Sequence, residues 1–202
     1  MFFLNYSTII DPILKDIRVF SLSFSGIKKG NKVLDICCGT GDQLFYYAKE
    51  GIFSFGIDLD PKMIKMAEKK KKKLGLDNVS FQVADAQNLP FENDFFDLTS
   101  ISFTLHEKKN TTRKKIISEM KRTTKKGGNF IFIDFRMPLP KNLYSFFIKT
   151  VEYFAGKEHF EFFKDYLGRG GLNEIFKENK IKIEKRHLTK NGVVEIVKAI
   201  NN

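Results

Sequence analysis

A short glycine-rich segment, residues 33–41, points most directly to ligand chemistry. It reads Val-Leu-Asp-Ile-Cys-Cys-Gly-Thr-Gly, which predicts a buried strand followed by a turn that a ligand can approach closely. Dinucleotide-binding turns favour a third glycine three residues after the second, where this chain has Leu44, and they hold a pyrophosphate. Asp35 and Asp42 flank the turn and would repel a pyrophosphate. The segment therefore predicts a cationic ligand without phosphate.

Two further acidic residues follow the second and third predicted strands. Asp58 lies seventeen residues after Gly41 and can accept hydrogen bonds from both ribose hydroxyls. It could instead cap a helix, but Asp60, directly before Pro61, is the better N-cap. Asp85 could accept from an adenine amino group, with Ala86 as a backbone donor, or it could be a turn residue. With the acidic turn, these positions predict S-adenosylmethionine, which carries an ammonium and a sulfonium but no phosphate.

Histidine and cysteine residues are few. His106 follows the fourth predicted strand, at the sheet edge where ligands bind, and it is either a base near neutral pH or a loop residue without chemistry. The adjacent Cys37 and Cys38 exclude a disulfide framework and a four-cysteine metal site, and we interpret both as small apolar residues. His159 and His187 lie far from His106 in sequence, without ligand spacing, which predicts that no metal is bound.

The elements that must position these residues alternate between strand-like and helix-like runs. This alternation predicts an α/β fold, a doubly wound Rossmann-like sheet covered on both faces. Asn191-Gly192 is a hairpin signal that would reverse the last of seven strands against the sixth. The sheet is therefore predicted to be mostly parallel with its last strand antiparallel. The predicted strands cover residues 33–37, 53–57, 79–83, 95–102, 129–135, 181–183 and 193–200.

The length of 202 residues predicts a single domain over 1–202. Within it we distinguish an N-terminal helical segment (1–30), a cofactor-binding core (31–135), an aromatic helical lid (138–170), and a last helix with a closing hairpin (171–202). The lid holds more aromatic residues than a plain crossover needs, so it either lines an acceptor site or is a packed helical cover. The residues predicted to line the acceptor site are Tyr144, Phe147, Tyr153, Phe154 and Tyr166.

The formal charge of +11 suggests an anionic partner such as nucleic acid or a membrane surface. The densest lysine run, residues 69–73, continues a helical pattern, so we interpret it as a solvated face and predict no specific nucleic acid. No stretch approaches the ~20 apolar residues of a transmembrane helix. The first four residues, Met-Phe-Phe-Leu, lack the basic region of a signal peptide. These features predict a cytoplasmic protein, with peripheral membrane association as an open alternative.

With these residues in view, the chain resembles the class I S-adenosylmethionine-dependent methyltransferases, and within them the ubiquinone/menaquinone-biosynthesis C-methyltransferase group. The resemblance covers nearly the whole chain; Ile-Ser-Phe and the closing Leu-Thr-x-x-Gly-Val-Val point to the quinone group in particular. The matching segments are Leu34-Asp-Ile-Cys-Cys-Gly-Thr-Gly-Asp42, Gly56-Ile-Asp-Leu-Asp60, Asp85-Ala86, Leu89-Pro-Phe91, Ile101-Ser-Phe103, Lys126-Gly-Gly128 and Leu188-Thr-Lys-Asn-Gly-Val-Val194.

The resemblance implies a methyltransferase acting on a small or lipophilic acceptor, with a prenylated hydroquinone methylated on carbon as the leading candidate. A phospholipid headgroup amine or a soluble small molecule is the alternative, through N- or O-methylation. An RNA methyltransferase is disfavoured because the chain has Ile-Ser-Phe-Thr where an Asn-Pro-Pro-Tyr motif would stand, and a non-catalytic cofactor-binding module is disfavoured by the intact loop. The implied cofactor-binding residues are Asp35, Gly39, Thr40, Gly41, Asp58, Leu59, Asp85, Ala86 and Ser102.

One departure from the quinone group concerns the residues after Ile-Ser-Phe. The group typically reads Gly-Leu-Arg-Asn there, and its arginine is thought to help deprotonate the substrate. This chain reads Thr104-Leu-His-Glu107, which places His106 at the position of the arginine. We therefore predict that His106 is the catalytic residue and takes a proton from the acceptor.

Overall fold

The computed structural model describes residues 11–202 of the chain, with side chains from residue 14 onward. Strands and helices alternate as the sequence predicts. The strands are β1 (Lys32–Ile36), β2 (Phe53–Asp58), β3 (Val79–Val83), β4 (Phe96–Ser102), β5 (Thr124–Phe135), β6 (Lys182–Thr189) and β7 (Val194–Ile200). The helices are α1 (Asp11–Ser25), α2 (Asp42–Lys49), α3 (Pro61–Leu74), α4 (Asn110–Thr123), α5 (Leu143–Phe154), α6 (Lys157–Arg169) and α7 (Leu172–Glu178), and a 3-10 turn covers Leu105–Glu107. None of these helices is long and apolar enough to span a membrane.

All seven strands form one sheet in the order β3-β2-β1-β4-β5-β7-β6. Neighbours from β3 to β5 pair in parallel, whereas β7 pairs antiparallel with both β5 and β6. The predicted hairpin is confirmed, and Asn191 and Gly192 in its turn have φ angles of 53° and 78°. Strand order reverses between β1 and β4, which is where ligands bind in doubly wound sheets.

The sheet is buried on both faces at its centre, so consecutive residues of its middle strands are buried. Leu98 and Ile101 of β4 and Phe130, Ile131 and Phe132 of β5 all belong to the core. Asp134 is an exception, a carboxylate buried near the end of β5.

Helix α3 shows how the local sequence signals work. Asp60 is its N-cap and accepts a hydrogen bond from the backbone N–H of Lys62 at 2.8 Å, as predicted, and Pro61 occupies the first turn. Ile64 and Ala67 face the sheet. The lysines at the end of the helix lie mainly on its outer face, which agrees with their interpretation as a solvated surface.

Two strands extend beyond their predicted bounds. Strand β5 begins at Thr124, because Thr124 pairs with Phe96 of β4 across a register shift, and Gly127 within it has a φ of 73°. Strand β6 runs to Thr189 and lies at the edge of the sheet, where most of its side chains are exposed. An exposed, lysine-rich edge strand has no apolar alternation from which its length could be predicted.

Candidate active site

The turn after β1 is held by aspartate side chains and by glycine conformations. Gly39 and Gly41 have φ angles of 53° and 78°, and a Cβ on Gly41 would lie 2.5 Å from the ring of Phe81. One carboxylate oxygen of Asp58 accepts from the N–H of Gly39 at 2.8 Å, and the other accepts from the N–H of Asp60 at 3.0 Å. Asp58 therefore fastens the turn to the end of β2 and keeps further lone pairs for a ligand.

A small enclosed cavity of about 50 Å³ lies between this turn and α1. The turn and the ends of β1, β4 and β5 form one side, and α1 closes the other. The residues lining it are Leu14, Ile17, Arg18, Asp35, Cys37, Cys38, Gly39, Thr40, Gln43, Ser102, Phe103 and Ile133.

Two polar groups in the cavity wall are suited to a cationic, hydroxyl-bearing ligand. Asp35 is only 3% exposed and accepts a hydrogen bond from the Ser100 hydroxyl at 2.6 Å. Burial raises the pKa of Asp35 to about 7, although Ser100 and Arg18 act to lower it. The Ser102 hydroxyl is buried and has no hydrogen-bond partner among the described residues. An unpaired buried hydroxyl is costly, so a ligand that bonded it would be favoured.

Asp42, the second acidic residue of the turn, supported the prediction of a cationic ligand but pairs with cations of the protein itself. Asp42 lies 2.7 Å from the Lys70 ammonium and 3.7 Å from the Arg18 guanidinium. These two cations offset its charge, and the carboxyl group that lines the cavity is that of Asp35. The Thr40 hydroxyl donates to Asp42 at 2.8 Å, which stiffens the turn.

The remaining residues predicted to bind the cofactor lie at the carboxyl ends of β2 and β3. Leu59, directly after Asp58, is 68% exposed. Asp85 is exposed and accepts from the N–H of Gln87 at 2.9 Å, and Ala86 is buried. The N–H of Ala84 donates to the Asp58 carbonyl at 3.1 Å and keeps these two strand ends together.

His106 lies in the 3-10 turn after β4 and is 4% exposed. Its Nδ1 is 2.7 Å from a carboxylate oxygen of Asp134, and its Nε2 is 3.6 Å from Glu152 of α5. Burial alone would lower the pKa of His106, but the carboxylates of Asp134, Glu152 and Glu107 together raise it above its ordinary value. The ring faces α5 and is absent from the lining of the cavity, so its role as a base stays a prediction.

His159 of α6 comes close to His106, which the sequence did not indicate. The two ring centroids are 6.0 Å apart, and Nε2 of His159 forms a close ion pair with Glu152. Separation in sequence therefore does not keep this pair apart in space, whereas His187 packs against Phe20 elsewhere. Two features of the sequence could have indicated this contact. Asp134 interrupts the apolar run of β5 and Glu152 lies within the aromatic helix α5, and a buried charge requires a partner.

The five aromatic residues predicted to line the acceptor site do not surround one cavity. Tyr166 lies in the core and donates its hydroxyl to the Phe135 carbonyl at 3.0 Å. Tyr144 borders an open groove beside α1, and Phe147, Tyr153 and Phe154 are between 62% and 79% exposed. Tyr166 is therefore buried, with its ring centroid 6.3 Å from that of His106, whereas the other four are exposed on α5.

Comparison with known proteins agrees with this geometry. A sequence model of a methyltransferase domain family matches residues 27–162. The fold is that of a protein from Pyrococcus horikoshii (PH0226; TM-score 0.75, 18% identity, 100% of both chains) and of an S-adenosylmethionine-dependent methyltransferase from Aquifex aeolicus (TM-score 0.68, 22% identity, 92% of this chain and 89% of that one). The protein belongs to the S-adenosylmethionine-dependent methyltransferases, and S-adenosylmethionine is the cofactor of that family.

Curated relatives indicate which methyltransferases this chain is similar to in sequence. A demethylmenaquinone methyltransferase of Geobacillus kaustophilus is 31% identical over 169 residues, which cover 75% of this chain and 71% of that protein. A ubiquinone/menaquinone biosynthesis C-methyltransferase of Pectobacterium carotovorum is 34% identical over 128 residues, which are 61% of this chain and 50% of the relative. The chain thus spans about half the length of such ubiquinone/menaquinone relatives. Within its family it groups with the quinone C-methyltransferases.

Proposed function

We propose that the protein transfers a methyl group from S-adenosylmethionine to carbon of a small lipophilic acceptor, namely a prenylated hydroquinone. The observation that carries the methyl-donor assignment is a pair of polar groups in the cavity wall, the buried Asp35 carboxyl and the Ser102 hydroxyl, which has no partner among the described residues. The turn beside them is too crowded at position 41 for any residue but glycine. The names of the curated relatives support the acceptor class.

The cofactor would lie along the carboxyl ends of β1, β2 and β3. Asp35, Gly39, Thr40, Gly41 and Ser102 would surround its methionine part at the cavity. The nucleoside would lie over Asp58 and Leu59, where the carboxylate can accept from ribose hydroxyls, and beside Asp85 and Ala86. When bound, S-adenosylmethionine supplies an electrophilic methyl group on a sulfonium sulfur. What remains for the protein is to align the acceptor and to exclude water.

We propose His106 as the residue that contacts the acceptor hydroxyl. Asp134 holds Nδ1 at 2.7 Å and so fixes the orientation of the ring, which leaves Nε2 as the atom available to a substrate. In this conformation Nε2 faces Glu152 of α5. An acceptor that reaches His106 must therefore displace the side chain of Glu152, and α5 is the element that would move.

We also propose that the exposed face of α5 rests on a membrane that holds the acceptor. Leu143, Phe146 and Phe154 are 85%, 72% and 79% exposed, and their spacing places them on one side of the helix. Ser145 and Glu152 are buried on the opposite side. The exposed lysines 141, 149 and 157 border the apolar face and would attract anionic headgroups.

The test is methyl transfer from labelled S-adenosylmethionine to a panel of demethylated prenyl quinols, amine-bearing phospholipids, soluble phenols and RNA. We expect label on a ring carbon of the quinols, which mass spectrometry distinguishes from an O-methyl product. His106→Gln should lower kcat while leaving cofactor affinity unchanged. Label in a phospholipid amine or in RNA, with none in the quinols, would overturn the acceptor assignment.

Sedimentation with phospholipid vesicles tests the membrane contact separately. We expect binding to anionic vesicles that weakens when Phe146 and Phe147 are both replaced by serine. Phe53→Ser is the matched control, because Phe53 is also exposed but lies at the amino end of β2, away from α5. Equal sedimentation of the double variant and the wild type would exclude α5 as the contact.

A further inference from the structure

His106, which we propose to contact the acceptor, forms a compact cluster with Glu152 and His159. One potential ligand atom from each lies within 4.8 Å of the others. His106 and Glu152 are buried, and His159 is partly buried. The three residues come from three elements, namely the 3-10 turn after β4, helix α5 and helix α6.

One distance in the cluster is close to the spacing between two ligands of a metal ion. Nε2 of His106 lies 3.6 Å from Oε1 of Glu152, and Nε2 of His159 contacts the other oxygen of the same carboxylate. Ligand atoms of a tetrahedral zinc ion with bonds of about 2.0–2.1 Å are roughly 3.3 Å apart. Small side-chain adjustments would therefore bring all three atoms to bonding distance of one ion.

His106 has the outer partner that metal-binding histidines use, and His159 has a carboxylate nearby. Nδ1 of His106 is 2.7 Å from Asp134, whereas Nδ1 of His159 is 3.6 Å from Glu107, an ion-pair distance rather than a hydrogen bond. A carboxylate bonded to Nδ1 favours the tautomer in which a deprotonated Nε2 carries the free lone pair. Nε2 of both imidazoles faces Glu152, so a metal ion would take the place of the proton on Nε2.

The charges of the cluster call for a cation. Among ion pairs between described residues, Asp134 and Glu152 pair only with these histidines, and Lys108 pairs with Glu107 at 2.7 Å. Two buried carboxylates can be balanced by two protonated imidazoles or by one divalent ion with neutral imidazoles. The ion has the advantage that all three ligand atoms converge on a single point.

We infer that His106, Glu152 and His159 bind a divalent transition-metal ion, with Zn²⁺ as the first choice. Two imidazoles and one carboxylate leave an open position for water and suit zinc rather than magnesium or calcium, which prefer oxygen ligands. The ion would join α5 and α6 to the turn after β4. The ion would occupy Nε2 of His106. The contact between His106 and an acceptor would therefore differ between metal-loaded and metal-free protein.

Metal binding is tested on the tag-free full chain, stripped with a chelator and free of methyl donor and acceptor. Zn²⁺ is titrated by calorimetry, and Co²⁺ by its visible d–d absorption. We expect one ion per chain, a Co²⁺ spectrum of low coordination number, and a higher melting temperature with Zn²⁺ than with Mg²⁺. A chain that takes up no Zn²⁺ at tens of micromolar would overturn the inference and would leave the methyltransferase proposal untouched.

Variants locate the ion. Glu152→Gln and His159→Gln should each weaken Zn²⁺ binding by more than about 100-fold, and Asp134→Asn by about 10-fold or more. His187→Gln is the matched control, because His187 is exposed on β6 and stacks on Phe20. Circular dichroism and S-adenosylmethionine affinity establish that each variant is folded. Zinc affinity in His159→Gln equal to that of the control would place the ion elsewhere and refute the assignment.

Discussion

Asp58 combines two functions in one carboxylate, because it fastens the turn after β1 and faces the proposed ribose position. We expect Asp58→Ala to weaken S-adenosylmethionine binding by about 2–3 kcal/mol, the scale of charged hydrogen bonds that are no longer made. Calorimetry measures this directly. Asp60→Ala is the control, since it removes the N-cap of α3 at a cost of about 1 kcal/mol in stability but leaves the cavity intact. Undiminished affinity in Asp58→Ala would remove Asp58 from the site.

Asp35 makes stability depend on pH. Its folded pKa, raised to about 7 mainly by burial, exceeds the ordinary value of 3.8, so the folded chain binds the extra proton between these values. This contribution to stability is complete below pH 3.8 and is lost as pH rises through 7. Between pH 5 and pH 7 we expect the free energy of unfolding, measured with urea, to fall by about 2 kcal/mol more in wild type than in Asp35→Asn.

Glu195 titrates in the same window, because burial raises its pKa to about 7 as well. Glu195 is present in both proteins, so the difference between them isolates Asp35. Parallel stability curves for the two proteins would mean that Asp35 stays ionised in the folded chain.

Among the secondary-structure elements, Arg113 of α4 links α6, which packs beside His106, to the turn after β4. The buried guanidinium donates to the Leu105 carbonyl at 2.8 Å and to the Phe162 carbonyl at 3.0 Å, and it pairs with Asp165 at 2.8 Å. It thus joins α4, α6 and the 3-10 turn. Arg113→Ala should reduce the free energy of unfolding by about 3 kcal/mol, since buried backbone carbonyls lose their donor.

Arg169 offers a matched control, because it pairs with the same Asp165 from the surface of α6. Arg169→Ala should leave the denaturation midpoint nearly unchanged, as is usual for exposed ion pairs within a helix. Equal midpoints for the two variants would show that Arg113 is not the link between these elements.

The elements differ in how far the sequence reveals them. Strands β1 and β4 were predictable because burial on both faces favours apolar and small residues along the whole strand. The reversal before β7 was predictable because Asn-Gly favours a hairpin turn. The start of β5 and the length of β6 were not predictable. A strand with a register shift and an exposed edge strand both lack a regular apolar pattern.

The candidate site was only partly predictable. Asp35, Gly39, Thr40 and Ser102 meet at one cavity because parallel strands bring their carboxyl ends to the same edge. The contact of His106 with His159 depends instead on how α5 and α6 fold back over that edge, and packing of a covering helix pair leaves no fixed spacing in the sequence. The pairing of Asp42 with Lys70 depends in the same way on the packing of α3 beside α2.

For the whole molecule, the charge of +11 is spread over many lysines, including the outer face of α3. We expect weak, sequence-independent association with RNA that disappears as salt rises from about 50 mM to about 200 mM. Fluorescence anisotropy with a labelled RNA across that range measures it. A nanomolar affinity that survives physiological ionic strength would favour an RNA acceptor over a quinol.

Helix α1 closes the cavity beside the glycine turn, with Leu14, Ile17 and Arg18 in its wall. The volume of about 50 Å³ has room for one or two water molecules rather than for the methionine part of the donor. The Gln43 amide donates to the Arg18 carbonyl at 3.1 Å and ties α1 to α2. Binding of a methyl donor at Asp35 and Ser102, as proposed above, would therefore require α1 to shift away from the turn. The frequency of that shift would then limit how often the spent donor is exchanged, whichever acceptor is methylated.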